Sequence, residues 1–133
     1  HGLVTVNGKY LVIKRNRIKR GALNVYPQFW DIPGGSVELG ELPREALLRE
    51  MQEEVGIIVK IKEIIHEDSN FDNEKDAIFI RLVYTCDIEE DSANKITLDG
   101  EEHSEYRLIR TLADLEGEDV VPYLHEILSE DTF

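Results

Sequence analysis

The sequence predicts an α/β fold in which a mixed β-sheet lies between helices. Three features support this prediction: a hairpin signal at Asn7-Gly8, one strongly marked helix over residues 43–55, and two long apolar, β-branched segments after that helix. Strands on either side of one helix, with a second helix near the end, are typical of layered domains. Because 133 residues without a repeat or linker suit one core, we expect a single domain over residues 1–133.

The first part of the chain is expected to form short strands around a basic loop. Residues 16–28 are polar and basic, which indicates a loop, and Gly34-Gly35 supplies a turn without Cβ constraints. Apolar runs on both sides of Asn7-Gly8 predict the two strands of a hairpin. The strands are predicted at residues 3–6, 10–14 and 29–32.

A helix over Pro43–Val55 carries signals at both of its ends. Proline suits the first helical position, and Gly56 suits the stop after the last turn. Leu42 at the N-cap lacks a polar side chain, although Glu45 at the third helical position retains half of a capping box.

Two strands are predicted after this helix, and the second of them is expected to be central in the sheet. Residues 57–66 and 77–88 are rich in β-branched side chains, and the second run is apolar on both faces. The acidic stretch at 89–102 indicates a solvated loop. The remaining predicted elements are a strand at 106–110, a helical turn at 112–115 and a helix at 122–128.

The charge of the chain restricts the class of partner. With 28 acidic and 15 basic residues, the formal net charge is −13, which argues against DNA, RNA or an anionic membrane as the main partner. A small phosphorylated ligand remains compatible if divalent cations neutralise both partners. No apolar run approaches the roughly 20 residues that a helix needs to span a bilayer.

The location of the protein is expected to be cytoplasmic, because the sequence shows no secretory signal.

The one cysteine, Cys86, lies in an apolar run, and we expect a buried, unreactive thiol there. Met51 is the only methionine, so we expect the natural chain to begin a few residues before His1.

Three glutamates share one face of the predicted helix. At about 100° per residue, Glu50, Glu53 and Glu54 fall within about 100° of one another, and like charges this close repel. Either they form a solvated acidic face, or they hold a hard cation such as Mg²⁺ or Mn²⁺, which prefers carboxylate oxygens. The separate apolar stripe that we expect to face the core consists of Leu48, Met51 and Val55.

The residues around these glutamates favour the cation site. The segment from Gly35 to Ile57 matches the pattern G-x5-E-x7-R-E-U-x-E-E-x-G-U, in which U is apolar, at all nine specified positions. This pattern is the Nudix box, and the chain therefore resembles the Nudix hydrolases of the MutT-like kind. Leu42 departs from the Thr or Ser that is common at that position, which weakens a helix cap and leaves the carboxylates intact.

The resemblance implies a Nudix-type α/β/α sandwich that hydrolyses a phosphoanhydride bond with Mg²⁺, or Mn²⁺, as cofactor. The metal ligands that it implies are Glu50, Glu53, Glu54, the backbone carbonyl of Gly34, and Glu102. Glu102 stands in EEHSEYRLI before a late strand, where relatives carry a further metal-binding acid; alternatively, it is one more acid in an acidic loop.

The resemblance also implies a catalytic group and a structural group. Glu53 is the first choice for the carboxylate that accepts the proton of water, with Glu50 and Glu102 as alternatives, and Arg49 supports them by pairing with Glu53. The structural positions of the box are Gly35, Glu41 and Gly56, and Glu41 is expected to hold loop and helix in register with Arg49.

Substrate contacts are expected upstream of the box and among the aromatic residues. Arg15, Arg17 and Arg20 could reach terminal phosphates or form a solvated loop. Trp30 and Phe79 could stack on a base or belong to the core. No metal-ligand role is assigned to the histidines, whose spacing lacks a ligand pattern: His66, His103 and His125.

The box specifies a reaction and leaves the substrate open. The short chain and its EHSEYR segment favour a (d)NTP pyrophosphohydrolase that releases a nucleoside monophosphate and pyrophosphate. Alternatives are hydrolysis of nucleotide sugars, ADP-ribose or dinucleoside polyphosphates, or a non-catalytic nucleotide sensor. The expected partner is a small nucleotide, and a homodimer is compatible with the resemblance.

Overall fold

A mixed β-sheet with a helix against each face forms the centre of the computed structural model, which describes residues 1–89 and 95–129. The elements in chain order are β1 Gly2–Val6, β2 Lys9–Arg15, β3 Ile18–Lys19, β4 Ala22–Leu23, β5 Trp30–Asp31, α1 Pro43–Val55, β6 Val59–Asp72, β7 Ala77–Ile88, β8 His103–Ile109, a 3₁₀ turn Leu112–Leu115 and α2 Pro122–Ile127.

The sheet is mixed because β1 has one antiparallel neighbour, β2, and one parallel neighbour, β7. β1 and β2 form the predicted antiparallel hairpin, and both turn residues, Asn7 and Gly8, adopt left-handed φ angles of 51° and 78°. β7 runs parallel to β1, and β6 pairs antiparallel with β7 at the edge of the sheet. β2 also pairs antiparallel with β5 and β8.

Each face of the sheet buries its own apolar cluster. On one face, Leu47, Met51 and Val55 of α1 pack in a cluster with residues of β1, β2 and β7. On the other face, Tyr123 and Leu124 of α2 pack in a cluster that includes Trp30, Ile32 and Val83. The predicted sheet between helices is therefore confirmed, with two core layers in place of one.

Helix α1 begins and ends at the predicted residues. The N–H of Leu42 donates to the Glu45 carboxylate at 2.9 Å, which is the predicted half of a capping box. Gly56 adopts a left-handed φ of 68° and donates its N–H to the carbonyl of Gln52.

The apolar stripe of α1 differs from the prediction at one position. Leu48 is exposed, and Leu47 takes its place in the core beside Met51. The buried side of α1 also includes Ala46 and Glu54, so at about 100° per residue its centre lies near Leu47, about 100° away from Leu48. Glu54 lies on the side of the helix next to Leu47, so that one carboxylate is carried to the border of the core.

Strands β6 and β7 extend beyond the rest of the sheet as a two-stranded ribbon. β6 continues to Asp72 and pairs with β7 as far as Ala77, whereas β1 pairs with β7 only at residues 84–87. The prediction that the whole of β7 is central is therefore wrong for its first half. There Ile78, Phe79 and Ile80 are exposed, since no element of the described chain forms a layer over the ribbon.

Smaller differences concern the loops. The basic segment contains a short hairpin, β3–β4, with left-handed Arg20 and Gly21 at its turn, and β8 begins at His103 rather than at 106. Cys86 is buried as predicted, and burial raises the pKa of its thiol to about 11. Within the described residues no helix combines the length and apolar character needed to cross a membrane. Residues 90–94 of the predicted acidic loop lie outside the described part of the chain.

Candidate active site

A cavity of about 980 Å³ lies where the glycine turn, α1, the basic hairpin and the β6–β7 ribbon meet. Its size is in the range of sites for small ligands. Its acidic lining consists of Asp31, Glu38, Glu50, Glu54 and Glu102, and its basic lining includes Arg15, Lys19, Arg20 and Arg81. One cavity therefore presents carboxylates and cationic side chains to the same ligand.

Glu54 is the most deeply placed of the helix carboxylates, with 5% of its surface exposed. Its carboxylate accepts a hydrogen bond of 2.9 Å from the backbone N–H of Gly34, which ties the glycine turn to α1. Burial, together with the nearby carboxylates of Glu50 and Glu102, raises the pKa of Glu54 to about 8. The site therefore holds more negative charge than its surroundings stabilise.

Glu50 lies directly against the turn that precedes α1. A Cβ built at Gly35 would come within 2.4 Å of the carboxyl carbon of Glu50, so this position leaves room for glycine alone. Desolvation raises the pKa of Glu50, while its 2.9 Å contact with the Arg49 guanidinium acts in the opposite direction.

Arg49 joins the loop before α1 to the acidic face of the helix. Its guanidinium makes two hydrogen bonds to the Glu41 carboxylate, at 2.7 and 2.9 Å, and a third to the carbonyl of Ser36 at 3.0 Å. The bonds from Arg49 to Glu41, together with the N–H of Glu38, lower the pKa of Glu41 to about 2. Arg49 also contacts Glu53 at 3.1 Å, as predicted from the i, i+4 spacing.

Glu53 differs from the other carboxylates of the helix in its surroundings. Its side chain is 60% exposed, and it is not among the described residues that line the cavity. The predicted side-chain ligands therefore divide into two groups. Glu50, Glu54 and Glu102 line the cavity, whereas Glu53 is outside its described lining and is linked to Glu50 through Arg49.

The beginning of β8 brings two further side chains to Glu54. Glu102 forms an ion pair with Lys19 at 2.8 Å, which lowers the pKa of its carboxyl. Glu54, Glu102 and His103 each offer one potential ligand atom, and these atoms lie within 4.8 Å of one another. The group could hold a metal ion, and it includes a histidine to which the sequence analysis assigned no role.

His103 is 6% exposed, and its Nδ1 has no hydrogen-bond partner among the described residues. Burial lowers the pKa of its imidazole, which favours the neutral ring. The only sequence signal for this residue was its position next to Glu102 at the edge of a predicted strand. That signal is weak because local spacing does not show which distant side chains a strand will meet.

The comparisons with known proteins identify the family. A model described as the NUDIX domain matches residues 2–128 of the chain. The chain belongs to the NUDIX family. The structural match agrees: a MutT protein from Methanosarcina mazei Go1 superposes with a TM-score of 0.75 at 23% identity, covering 96% of this chain and 86% of that one. A MutT NUDIX hydrolase from Burkholderia pseudomallei gives the same TM-score at 19% identity, covering 97% and 92% of the two chains.

Two curated NUDIX relatives cover different shares of the chain. The nucleoside triphosphatase NudI of Escherichia coli K12 is 34% identical over 130 residues, which is 91% of this chain and 82% of that protein. An ADP-ribose pyrophosphatase of Methanocaldococcus jannaschii is 33% identical over 87 residues, or 65% of this chain. The matched region spans 48% of the length of that archaeal relative.

The basic residues expected to bind substrate in this NUDIX domain have different positions. Arg20 lines the cavity, and so does Lys19 beside it. Arg15 also lines it, but its guanidinium is engaged by Asp31 at 3.2 Å and by Asn24 at 3.1 Å. Arg17 is not among the described residues of the lining.

The two aromatic residues expected near the substrate lie in different parts of the fold. Phe79 lines the cavity and is 45% exposed, with Lys75 above its ring. Trp30 is 0% exposed and packs in the core of the α2 face, where its indole N–H donates to Glu118 at 3.1 Å. The expectation that Trp30 stacks on a base is corrected, because its ring is covered by the protein and presents no free face.

Proposed function

We propose that this NUDIX domain hydrolyses a phosphoanhydride bond in a nucleoside diphosphate derivative, with a divalent cation bound by its cavity carboxylates. The observation that carries the proposal is the buried Glu54 carboxylate, which lies beside Glu50 and Glu102 in a cavity that also presents Lys19 and Arg20. A solvated acidic face would not bury a carboxylate next to two others, because burial without compensation is unfavourable.

The residues of the cavity fit a divalent cation such as Mg²⁺ or Mn²⁺. Glu50, Glu54 and Glu102 supply the oxygen ligands that these ions prefer, and the raised pKa of Glu54 reflects negative charge that a cation would compensate. When bound, the cation would polarise phosphate oxygens and lower the pKa of a coordinated water. The carbonyl of Gly34 remains a proposed further ligand, on the turn whose N–H binds Glu54.

Side chains of the protein would bind the substrate phosphates, position the helix and accept the proton. Lys19 and Arg20 would bind phosphate oxygens, and Arg49 would hold the acidic face of α1 against the loop before it. Glu53 is the proposed proton acceptor, because its carboxylate is exposed to solvent and is oriented by its contact with Arg49. Glu50 is the alternative, which its position in the cavity lining supports.

The proposed substrate is a nucleoside triphosphate, cleaved to a monophosphate and pyrophosphate. The relation to the nucleoside triphosphatase NudI over 91% of the chain supports this choice. Phe79 on the ribbon is an exposed aromatic ring for base stacking at the cavity wall. ADP-ribose is the second candidate, supported by the relation to the archaeal ADP-ribose pyrophosphatase over 65% of the chain.

A product assay with Mg²⁺ tests the proposal. The panel contains canonical and oxidised (d)NTPs, ADP-ribose, nucleotide sugars and dinucleoside polyphosphates, and the products are separated as monophosphate, pyrophosphate and phosphate. We expect pyrophosphate from one or more triphosphates and its loss in Glu54→Gln. Glu116→Gln, an exposed glutamate outside the cavity, is the matched control. Turnover of ADP-ribose alone would show that the substrate is ADP-ribose and not a triphosphate. Tight nucleotide binding without turnover of any compound would indicate a sensor in place of a hydrolase.

The same assay separates the two candidates for the proton acceptor. Glu53→Gln and Glu50→Gln are compared at saturating Mg²⁺, because loss of a proton acceptor lowers kcat whereas loss of a ligand also raises the Mg²⁺ concentration required. A kcat lower by about 100-fold or more in Glu53→Gln, with the Mg²⁺ requirement unchanged, is the expected result. The same pattern in Glu50→Gln, with an active Glu53→Gln, would assign the role to Glu50.

A further inference from the structure

One ring nitrogen of the buried His103 in the cavity lining is not explained by the carboxylate cluster. Its Nδ1 is buried without a hydrogen-bond partner among the described residues. A buried polar atom without a partner costs free energy, of the order of 1–3 kcal/mol, so such atoms usually have a ligand or another partner.

A β-bulge places this ring at the cavity. Lys14 pairs with Glu105 in the β2–β8 ladder, but the next pair is Arg15 with His103, so Ser104 is an extra residue on β8. A bulge re-aims the side chains next to it, and bulges occur next to active sites. Without the extra residue, Ser104 would be opposite Arg15 in place of His103.

The peptide group between Glu102 and His103 is held by two hydrogen bonds. Its N–H donates to the carbonyl of Asp99 at 3.0 Å, and the carbonyl of the preceding residue, Glu102, accepts from Asn16 at 2.9 Å. The ring therefore reaches the cluster from a position fixed by hydrogen bonds. This matters because a ligand that is held in place loses less conformational entropy on binding.

The spacing of the ligand atoms is close to that of a shared ion. One ring nitrogen of His103 and one oxygen each of Glu54 and Glu102 lie within 4.8 Å of one another. Ligands at about 2.1 Å from one cation are about 3 Å apart at neighbouring octahedral positions and about 4.2 Å apart at opposite positions. Side-chain movements of about 1–2 Å are therefore sufficient for all three atoms to share an ion.

We propose that His103 supplies a nitrogen ligand to the cation bound by Glu54 and Glu102, and that it shifts the site's preference from Mg²⁺ towards Mn²⁺ and the later transition metals. The proposal rests on the cation site of the proposed function. Imidazole suits the later first-row metals, whereas Mg²⁺ selects oxygen ligands. Lys19, which pairs with Glu102 at 2.8 Å, would then exchange its contact when the ion binds.

Pulsed electron paramagnetic resonance of bound Mn²⁺ tests this directly, because a coordinated imidazole couples its ¹⁴N nucleus to the manganese. We expect this coupling in the wild-type protein and its replacement by ¹⁵N coupling after labelling with [¹⁵N]histidine. The coupling should disappear in His103→Asn and His103→Gln. It should persist in His125→Asn, whose side chain is exposed on α2, and in His1→Asn, which removes the other histidine of the cavity lining.

A titration of metal affinity supplies the second readout. His103→Asn should weaken Mn²⁺ and Co²⁺ binding by about 10-fold or more while changing Mg²⁺ binding much less, the size of effect seen when groups that support a metal site are removed. Equal losses for all three ions would contradict the proposal.

The outcomes also distinguish a failure of the His103 proposal from a failure of the proposed cation site. Wild-type protein that binds Mn²⁺ in a Glu54-dependent manner, but shows no ¹⁴N coupling, overturns the role of His103 and leaves the cation site intact. Mn²⁺ binding that is unchanged in Glu54→Gln overturns the cation site itself. If the His103 variants fail to fold, the other three histidines decide by elimination: coupling that persists in His1→Asn, His66→Asn and His125→Asn comes from His103, and its loss in any of them overturns the proposal.

Discussion

Gly35 and Glu50 are packed so closely that a Cβ on the glycine would lie 2.4 Å from the carboxyl carbon of the glutamate. The contact joins the first position of the Nudix box to the carboxylate in the middle of α1. The glycine is therefore required by the side chain that it faces. This relationship, together with the Gly34 N–H bond to Glu54, fixes the glycine turn against the proposed cation site.

Gly35→Ala should displace the Glu50 carboxylate, because the methyl group and the carboxyl carbon cannot occupy the observed positions together. We expect Mg²⁺ affinity to fall by about 10-fold or more and turnover to fall with it, measured by isothermal titration and by the product assay. Gly100→Ala is the matched control, since nothing lies within 4 Å of a Cβ built there. Wild-type affinity in Gly35→Ala would contradict the role of Glu50 as a ligand.

Glu54→Gln should distinguish the destabilisation caused by a buried carboxylate from the contribution of that carboxylate to cation binding. The pKa of Glu54 is raised to about 8 in the folded protein from an ordinary value of 4.5, so the folded state favours the protonated acid. Without divalent cations, wild-type stability should therefore fall as pH rises from about 4.5 to about 8, and Gln should remove this fall. In EDTA, the Tm of the variant relative to wild type should increase over that range.

Added Mg²⁺ should reverse the order of stability between these two proteins. The cation favours the ionised form of Glu54, so it should raise the Tm of the wild type at pH 8 and leave Glu54→Gln nearly unchanged. Thermal melts with EDTA and with excess Mg²⁺ measure both effects. Equal stabilisation of the two proteins by Mg²⁺ would place the cation elsewhere.

Glu41→Gln should weaken the protein at neutral pH more than in acid. Hydrogen bonds from Arg49 lower the pKa of Glu41 from 4.5 to about 2, so its contribution to stability is complete above about pH 4.5 and is lost as pH falls through about 2. The difference in Tm between wild type and variant should therefore be largest near pH 7 and close towards pH 2. A Tm difference that does not change with pH would contradict this explanation. So would an equal loss of Tm in Glu116→Gln, the exposed control.

Phe79→Ala should raise KM for the preferred nucleotide and leave kcat within a few-fold, because stacking on a base binds the substrate and its transition state alike. A base–aromatic contact contributes about 1–3 kcal/mol, so KM should rise by about 5-fold or more. Phe71→Ala provides the comparison on the same ribbon, because Phe71 is also exposed but is not among the described residues of the cavity lining. Equal effects of the two substitutions would indicate a general change in the ribbon.

Elements with signals inside their own sequence were predicted to within a few residues. Helix α1 matches Pro43–Val55 at both ends because proline and glycine act on the local backbone. The Asn7-Gly8 hairpin was predicted for the same reason. The prediction for β7 was wrong in its first half. Apolar residues on both faces indicate a covered strand only where other layers reach it, and within residues 1–89 and 95–129 no layer covers Ile78 and Ile80.

The candidate site shows the same division. The sequence by itself determined the NUDIX family, the helix and the spacing that places Glu50, Glu53 and Glu54 on one face, since all of these depend on neighbours within a few turns of chain. Only the tertiary structure decided that Glu54 is buried, that Glu53 is exposed, that Trp30 belongs to the core and that His103 lies beside Glu54. These properties depend on contacts between strands and helices far apart in the chain, and a local pattern carries no information about which of those elements meet.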